Sequence, residues 1–219
     1  LEFGEPDFDT PPAIREAAEK ALKDGRTRYA HPLGIVPLRE AIAEHYQAPY
    51  GVTVSPDQIL VTAGSSPALL LLFSALLDRG DEVILSDPYY ACYPKFVKFA
   101  EGRPVYVSVE EGDAFQFRPE AVAARVGPAT KALLVNSPAN PTGTVLTADR
   151  LATLCRLGPW VVSDEIYHGL TYDGPEHTVL EFTDRAFVLN GFSKAFAMTG
   201  WRVGYLIAPR EFVPALTAM

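Results

Sequence analysis

Short apolar runs alternate with longer amphipathic segments along most of the chain. Runs such as Ile59–Thr62 are typical of buried strands, and the segments between them carry apolar residues at helical spacing. The predicted strands are 59–62, 82–86, 104–109, 132–136, 160–163, 186–190 and 202–208. The predicted helices are 11–23, 37–46, 67–78, 89–100, 119–126 and 148–157, and a further helix begins at 210.

This alternation predicts an α/β fold with three layers, in which a mostly parallel sheet is covered by helices on both faces. The last two strands break the pattern. The connection between 190 and 202 is too short for a right-handed helical crossover, so these strands are antiparallel if they are neighbours. We therefore expect one antiparallel strand in the sheet.

The first helix has its own start and stop signals. Thr10 is the predicted N-cap, Pro11 and Pro12 fit the first turn, and Asp24-Gly25 ends the helix. One face of this helix is predicted to be apolar, and it consists of Ile14, Ala17, Ala18, Ala21 and Leu22.

Composition and charge exclude several classes of protein. The 219 residues, of which 48% are hydrophobic, suit one large domain. With 27 acidic and 19 basic residues and no concentrated basic run, we expect no nucleic-acid partner. Cys92 and Cys155 lie far apart, which predicts neither a disulfide framework nor a metal site and favours the cytoplasm. The run 68–77 is too short to cross a membrane, so we expect a soluble protein.

A small-residue turn follows the strand at 59–62. Gly64, Ser65 and Ser66 lead directly into an apolar helix, where free N–H groups and two hydroxyls can hold a phosphate. Ordinary helix capping by serine is the alternative. The turn lacks the Gly-x-Gly-x-x-Gly and P-loop patterns, which disfavours a dinucleotide or a nucleoside triphosphate.

Three more polar clusters occur at predicted strand ends. Asp164 follows the strand at 160–163, where its carboxylate either pairs with a cationic ring nitrogen or caps the next turn. If that turn is helical, Tyr167 lies on the same side as Asp164. Asn140 lies in a loop stiffened by two prolines, which presents its amide in one direction or forms a plain turn. Tyr90, among neighbouring tyrosines, offers a face for stacking or for packing.

Lys194 is a lone lysine among small and apolar neighbours. An exposed lysine has a pKa near about 10.4, and desolvation or a cationic neighbour such as Arg202 lowers it. A neutral amine attacks a carbonyl to form a Schiff base. The alternative is a surface lysine at a strand end.

Together these clusters supply what pyridoxal 5′-phosphate needs: a phosphate cradle, a stacking ring, an amide, a carboxylate with a tyrosine, and an amine. The sequence resembles the fold type I, class I/II aminotransferases, the aspartate aminotransferase-like group, along its whole length. The most specific stretches are 140–143, 163–167 and 193–204. The resemblance implies the large domain of a pyridoxal-phosphate-dependent transferase.

The resemblance also implies a role for each matching residue. Lys194 would carry the Schiff base and move a proton during catalysis, and Asp164 would pair with the ring nitrogen. Asn140 and Tyr167 would donate to the phenolic oxygen, and Tyr90 would stack on the ring. The residues that match phosphate ligands are Gly64, Ser65, Ser66 and Arg202.

Two further matches concern the partner subunit and the substrate. Tyr29 resembles a tyrosine that reaches the phosphate of a neighbouring subunit, which implies a homodimer with shared active sites. Gly4 matches a glycine whose backbone borders the substrate carboxylate, in a loop that acts as a lid.

The implied domains are an N-terminal segment, 1–24, with the lid and first helix, and a cofactor-binding large domain, 25–219. A smaller C-terminal domain, which supplies the arginine for the substrate α-carboxylate, would lie outside this chain. On this hypothesis the isolated chain binds its cofactor weakly and turns over little or nothing.

The resemblance implies an aminotransferase that moves an amino group between an L-amino acid and a 2-oxo acid. One alternative is a pyridoxal-phosphate carbon–sulfur lyase, which releases pyruvate and ammonia without an amino acceptor. Another is the sensor domain of a transcription regulator, which would carry a basic winged-helix segment upstream. The identity of the amino acid is not predicted.

Overall fold

A seven-stranded sheet forms the centre of the computed structural model, which describes residues 4–219. The strands are β1 (Ile59–Thr62), β2 (Glu82–Asp87), β3 (Arg103–Ser108), β4 (Thr130–Asn136), β5 (Trp160–Asp164), β6 (Ala186–Gly191) and β7 (Gly204–Ile207). Their order across the sheet is β1-β7-β6-β5-β4-β2-β3. Strand β7 is antiparallel to both of its neighbours, and the other pairs are parallel. The predicted α/β fold with one reversed strand is therefore confirmed.

Helices cover both faces of this sheet. They are α1 (Pro12–Lys23), α2 (Val36–Tyr50), α3 (Ser65–Leu76), α4 (Tyr93–Phe99), α5 (Pro119–Ala123), α6 (Ala148–Cys155) and α7 (Val213–Ala218). The helix predicted over 89–100 begins only at Tyr93, because Pro94 occupies a position in the first turn where proline favours a helix start. Within residues 4–219, no helix combines the length and the hydropathy needed to cross a membrane.

Two apolar cores lie on opposite faces of the sheet. Leu72 and Phe73 of α3 pack in one core, and Ile42 of α2 packs in the other. Neighbouring residues of β6 divide between them, with Phe187 in the first core and Val188 in the second. This division follows from the alternation of side chains along a strand.

The prediction that Thr10 caps the first helix is wrong. The N-cap of α1 is Pro11, and no side chain caps the helix. The Thr10 hydroxyl instead donates to the carbonyl of Ala197 at 2.5 Å and accepts from Nε1 of Trp201 at 3.0 Å. This long-range contact ties the start of the described chain to the loop between β6 and β7. Residues 1–3 of the predicted N-terminal segment lie outside the described residues.

The predicted apolar face of α1 is not buried within this chain. No residue of α1 is fully buried, and the Leu22 side chain is 67% exposed. The helix forms as expected, but its apolar side contributes little to either core.

Candidate active site

The predicted polar clusters meet at one edge of the sheet. Asp164 is the last residue of β5, Asn140 follows β4, and Lys194 follows β6. Because these three strands are parallel neighbours, their carboxyl ends lie side by side. Strand β1 runs in the same direction, so Gly64 lies at this edge, and the reversed β7 brings Arg202 to it.

Lys194 is half-buried at this edge, next to the start of the described chain. Its Nζ donates a hydrogen bond to the carbonyl oxygen of Gly4. Burial lowers the pKa of Lys194, the Glu5 carboxylate opposes this effect, and the Arg202 guanidinium adds to it. The amine therefore loses its proton more readily than that of an exposed lysine, as a nucleophile or a base requires.

Asp164 is held from two sides. The Tyr93 hydroxyl donates to Oδ2 at 2.7 Å, and the backbone N–H of Ile166 donates to Oδ1 at 3.2 Å. The carboxyl is 5% exposed, and burial raises its pKa, although both hydrogen bonds oppose this shift. A buried acid of this kind is stabilised as a carboxylate when a cation comes beside it.

Tyr93 is a functional contact that sequence reasoning missed. The sequence has three tyrosines in this segment, and only Tyr90 is predicted to be a site residue. No local pattern separates Tyr93 from the other two, because the helix predicted from 89 begins only at Tyr93. The rings of Tyr90 and Tyr93 pack edge to face, with centroids 5.2 Å apart, whereas Tyr89 stacks on Tyr106. A hydrogen bond with Cys92, together with burial, raises the pKa of Tyr90 to about 12.

Asn140 and Tyr167 form a hydrogen-bonded pair. The amide Nδ2 of Asn140 donates to the Tyr167 hydroxyl at 3.2 Å. Burial raises the pKa of Tyr167, and the bond from Asn140 acts against this rise. Asn136, which had no assigned role, braces the pair: its Oδ1 accepts from the Asn140 N–H at 2.7 Å, and its Nδ2 donates to the Asp164 carbonyl at 2.9 Å.

Gly64 and Arg202 shape the start of α3. Gly64 is the N-cap at φ 100° and ψ 173°, and no side chain caps the helix, so the serine-capping alternative is wrong. A Cβ placed on Gly64 would overlap the guanidinium of Arg202, which donates to the Thr199 carbonyl at 2.8 Å. The missing side chain lets a cation approach the free N–H groups of Ser65 and Ser66. This arrangement suits a phosphate.

Tyr29 is the one predicted residue whose side chain is fully exposed, in the loop between α1 and α2. None of the side-chain hydrogen bonds within residues 4–219 involves its hydroxyl. The structure thus brings ten of the eleven predicted residues to the sheet edge and leaves Tyr29 facing outward. Those ten are Gly4, Gly64, Ser65, Ser66, Tyr90, Asn140, Asp164, Tyr167, Lys194 and Arg202.

Taken with the fold, this edge of the sheet has the chemistry of an enzyme that holds a phosphorylated ring through an amine. The family model for aminotransferase class I and II matches residues 1–219, and the chain belongs to that family. Pyridoxal 5′-phosphate is the cofactor of the family, so the predicted cofactor is confirmed.

Known proteins similar to this chain cover it almost completely. The aspartate/prephenate aminotransferase of Thermus thermophilus is 46% identical over an aligned region of 232 positions, which covers 100% of this chain and 58% of that protein. The (5-formylfuran-3-yl)methyl phosphate transaminase of Methanocaldococcus jannaschii is 40% identical, over 99% of this chain and 57% of that protein. The solved aspartate aminotransferase of Thermus thermophilus with maleate has a TM-score of 0.96 at 46% identity, over 99% of this chain and 58% of that one.

The residues at the sheet edge fit pyridoxal phosphate on structural grounds. The gap left by Gly64 and the guanidinium of Arg202 suit the phosphate, and the buried Asp164 suits a protonated ring nitrogen. The Asn140–Tyr167 pair suits the phenolic oxygen, and the half-buried Lys194 suits the carbonyl carbon.

Replacing Gly64 with alanine should weaken cofactor binding and destabilise the protein. The φ and ψ of Gly64 belong to a region open essentially to glycine alone, where another residue costs on the order of 1–3 kcal/mol. The new Cβ would also push the Arg202 side chain away. We expect a loss of at least about tenfold in affinity for pyridoxal phosphate, which is about 1.4 kcal/mol. Fluorescence titration and denaturant unfolding measure the two effects.

Gly80→Ala is the matched control for this prediction. Gly80 has a φ of +90°, and a Cβ there would meet no atom within 4 Å. Backbone strain alone should therefore lower its stability without changing cofactor affinity. Equal affinities for the Gly64 and Gly80 variants would contradict the assignment of Gly64 and Arg202 to the phosphate.

Proposed function

We propose that this chain is the cofactor-binding part of an aminotransferase that moves an amino group between an L-amino acid and a 2-oxo acid. The chain spans about 58% of the length of the first curated relatives it matches, so the activity of the whole protein is inferred. The observation that carries the proposal is the half-buried Lys194 amine, which follows β6 beside β5, the strand that ends at Asp164.

Bound pyridoxal phosphate supplies a carbonyl that condenses with amines and a ring that withdraws electrons from the substrate α-carbon. In this proposal Lys194 has two tasks, one after the other. Its Nζ would first hold the cofactor in place. It would then act as the base that accepts the proton from the substrate α-carbon, and the lowered pKa of Lys194 makes its neutral, basic form easier to reach.

Asp164 would keep the cofactor ring nitrogen protonated. Its two oxygens are fixed by Tyr93 and by the N–H of Ile166, so the carboxylate needs little reorganisation when a cation approaches. Asn140 and Tyr167 would donate to the phenolic oxygen of the cofactor. These fixed donors favour the negatively charged form of that oxygen.

The remaining residues would orient the cofactor. The start of α3, with Ser65 and Ser66, and the guanidinium of Arg202 would bind the phosphate. Tyr90 would stack on the ring, and Gly4, next to Lys194, would border the substrate carboxylate. The division into an N-terminal segment, 1–24, and a large domain, 25–219, stays a prediction.

A second copy of the chain is part of the proposal. Tyr29 is fully exposed, which is compatible with a hydroxyl that reaches the phosphate of a second copy. A homodimer with shared active sites and a cytoplasmic location both stay predictions. The similar proteins carry names with different substrates, such as aspartate/prephenate and (5-formylfuran-3-yl)methyl phosphate, and we propose no particular amino acid.

The test follows the nitrogen atom. The protein that carries this chain is incubated with pyridoxal phosphate, a panel of ¹⁵N-labelled L-amino acids and a 2-oxo acid. We expect the label in the amino acid formed from the acceptor, and no transfer with Lys194→Ala. Release of pyruvate and ammonia without an acceptor would instead support the lyase. Cofactor binding without either reaction would support a sensor domain.

A further inference from the structure

Glu165 is a fully buried carboxylate between two residues of the proposed cofactor site, Asp164 and Tyr167, with 0% of its surface exposed. It does not face the cofactor side. Asp164 contacts Tyr93, which belongs to one core, whereas Glu165 contacts Tyr46, which belongs to the other. The two neighbouring carboxylates therefore leave the chain toward opposite faces of the sheet.

Four donors converge on the Glu165 carboxylate. They are the hydroxyls of Ser163 at 3.0 Å, Thr178 at 2.9 Å and Tyr46 at 3.3 Å, and the N–H of Val179 at 3.1 Å. Three of these donors share Oε1, and Tyr46 donates to Oε2, so both oxygens of the carboxylate are hydrogen-bonded. Burial raises the pKa of Glu165, and His168 and the hydrogen bonds act in the opposite direction.

The other titratable groups around Glu165 come from three elements. His168 Nδ1 lies 3.7 Å from Oε2 and 2.7 Å from the Tyr50 hydroxyl, and Tyr205 on β7 faces the same carboxylate. Burying a carboxylate is unfavourable before its partners are counted, and it is tolerated only where hydrogen bonds replace the lost hydration. The position of Glu165 is thus better explained by what it holds than by packing.

Glu165 ties the site to elements that take no part in it. Tyr46 belongs to α2, and Thr178 and Val179 begin the short helical turn Val179–Glu181. The backbone of Glu165 is fixed as well, since its N–H donates to Leu189 of β6 at 2.8 Å and its carbonyl accepts from the His168 N–H at 3.0 Å. The side chain and the backbone of Glu165 together determine the path of the turn 164–168.

We propose that Glu165 is a positioning residue that aims Asp164 and Tyr167 at the cofactor by anchoring the turn 164–168 to α2 and to the turn Val179–Glu181. This inference rests on the proposed function. Glu165 touches no reacting atom and acts through its two neighbours. Its loss should therefore change the properties of the bound cofactor as well as the stability of the protein.

The test variant is Glu165→Gln, which keeps the size and an acceptor oxygen for the three donors on Oε1. It replaces Oε2, which accepts from Tyr46 and lies 3.7 Å from His168 Nδ1, with an NH₂ that cannot accept. We expect affinity for pyridoxal phosphate to fall by about tenfold, or about 1.4 kcal/mol. Attachment of pyridoxal phosphate to Lys194 should give an absorption band that the Lys194→Ala variant lacks. The pH midpoint of this Lys194-dependent band should move upward in Glu165→Gln, because a displaced Tyr167 no longer favours the charged phenolic oxygen. In the cofactor-free protein, the amides of residues 166–168 should exchange hydrogen faster.

Glu181→Gln is the matched control. The Glu181 carboxylate accepts from the Thr178 N–H at 2.8 Å and caps the same short turn, but it makes no hydrogen bond with Glu165. The Glu181→Gln variant should lower the stability of the protein without moving the pH midpoint of the Lys194-dependent band. Tyr46→Phe removes one donor to Glu165 and should shift the midpoint in the same direction by a smaller amount, which keeps the test available if Glu165→Gln does not fold.

A double-mutant cycle with Tyr167→Phe separates positioning from a structural role. If Glu165 acts through Tyr167, the two midpoint shifts should be clearly less than additive. One outcome is that the wild-type protein shows the Lys194-dependent band while Glu165→Gln and Tyr46→Phe have the same pH midpoint and the same affinity for pyridoxal phosphate as wild type. That result would overturn this inference but not the proposed function. A wild-type protein with no Lys194-dependent band would overturn the proposed function and this inference with it.

Discussion

Lys194→Ala should lower the rate of amino transfer by at least about a thousandfold, because the variant loses both the amine that holds the cofactor and the base that moves the proton. Its fold should survive, since Lys194 is only half-buried and belongs to no core. Single-turnover kinetics and denaturant unfolding measure these two properties. Lys194→Arg is the matched control: it keeps a positive charge but cannot deprotonate, so it should be as inactive as the alanine variant.

The pH dependence of the wild-type reaction follows from the lowered pKa of Lys194. The amine is neutral at a lower pH than an exposed lysine, so attachment of the cofactor should rise through that lowered pKa and fall away below it. Glu5→Gln should move the midpoint further down, because the Glu5 carboxylate opposes the shift. A midpoint near about 10.4, that of an exposed lysine, would contradict the described setting of Lys194.

Asp164→Asn should stabilise the cofactor-free protein at neutral pH and weaken its hold on the cofactor. Burial raises the pKa of Asp164 in the folded protein above its value in the unfolded chain. The neutral carboxyl therefore stabilises the fold fully at a pH below the unfolded pKa, and this stabilisation is lost as the pH rises through the folded pKa. Asparagine removes that loss and can still accept from the Ile166 N–H while donating to the Tyr93 oxygen. The gain should be on the order of 1 kcal/mol.

Urea unfolding as a function of pH tests this prediction. The advantage of Asp164→Asn should shrink as the pH falls and the wild-type carboxyl is protonated. Affinity for pyridoxal phosphate should fall in the same variant, since a neutral amide does not stabilise a protonated ring nitrogen. Asp184→Asn, at an exposed position, is the control and should change neither property. An Asp164 variant that is less stable and binds the cofactor as wild type would refute the assigned role.

The sheet could be predicted because local patterns determine it. The bounds of β1 match the apolar run in the sequence, and the reversal of β7 follows from a connection too short for a crossover. The polar clusters could be placed at one edge because the carboxyl ends of parallel strands share an edge. Strand ends such as Asp164 needed no information from distant parts of the chain.

Contacts between distant parts of the chain could not be predicted. Thr10 follows no local capping rule, because Ala197 and Trp201 compete for its hydroxyl across the fold. Tyr93 is one of three tyrosines, and only the start of α4 determines that it is the one that meets Asp164. The partners of Glu165 come from α2 and from a turn after β5, and no spacing in the sequence links them.

Borohydride reduction measures directly whether Lys194 is the residue to which the cofactor attaches. The protein is loaded with pyridoxal phosphate, reduced so that the cofactor stays fixed to its amine, digested and mapped by mass spectrometry. The other five lysines are internal controls: Lys20, Lys23, Lys95, Lys98 and Lys131. We expect a stoichiometric label on the peptide that contains Lys194. A label spread over the other lysines, or no label, would contradict it.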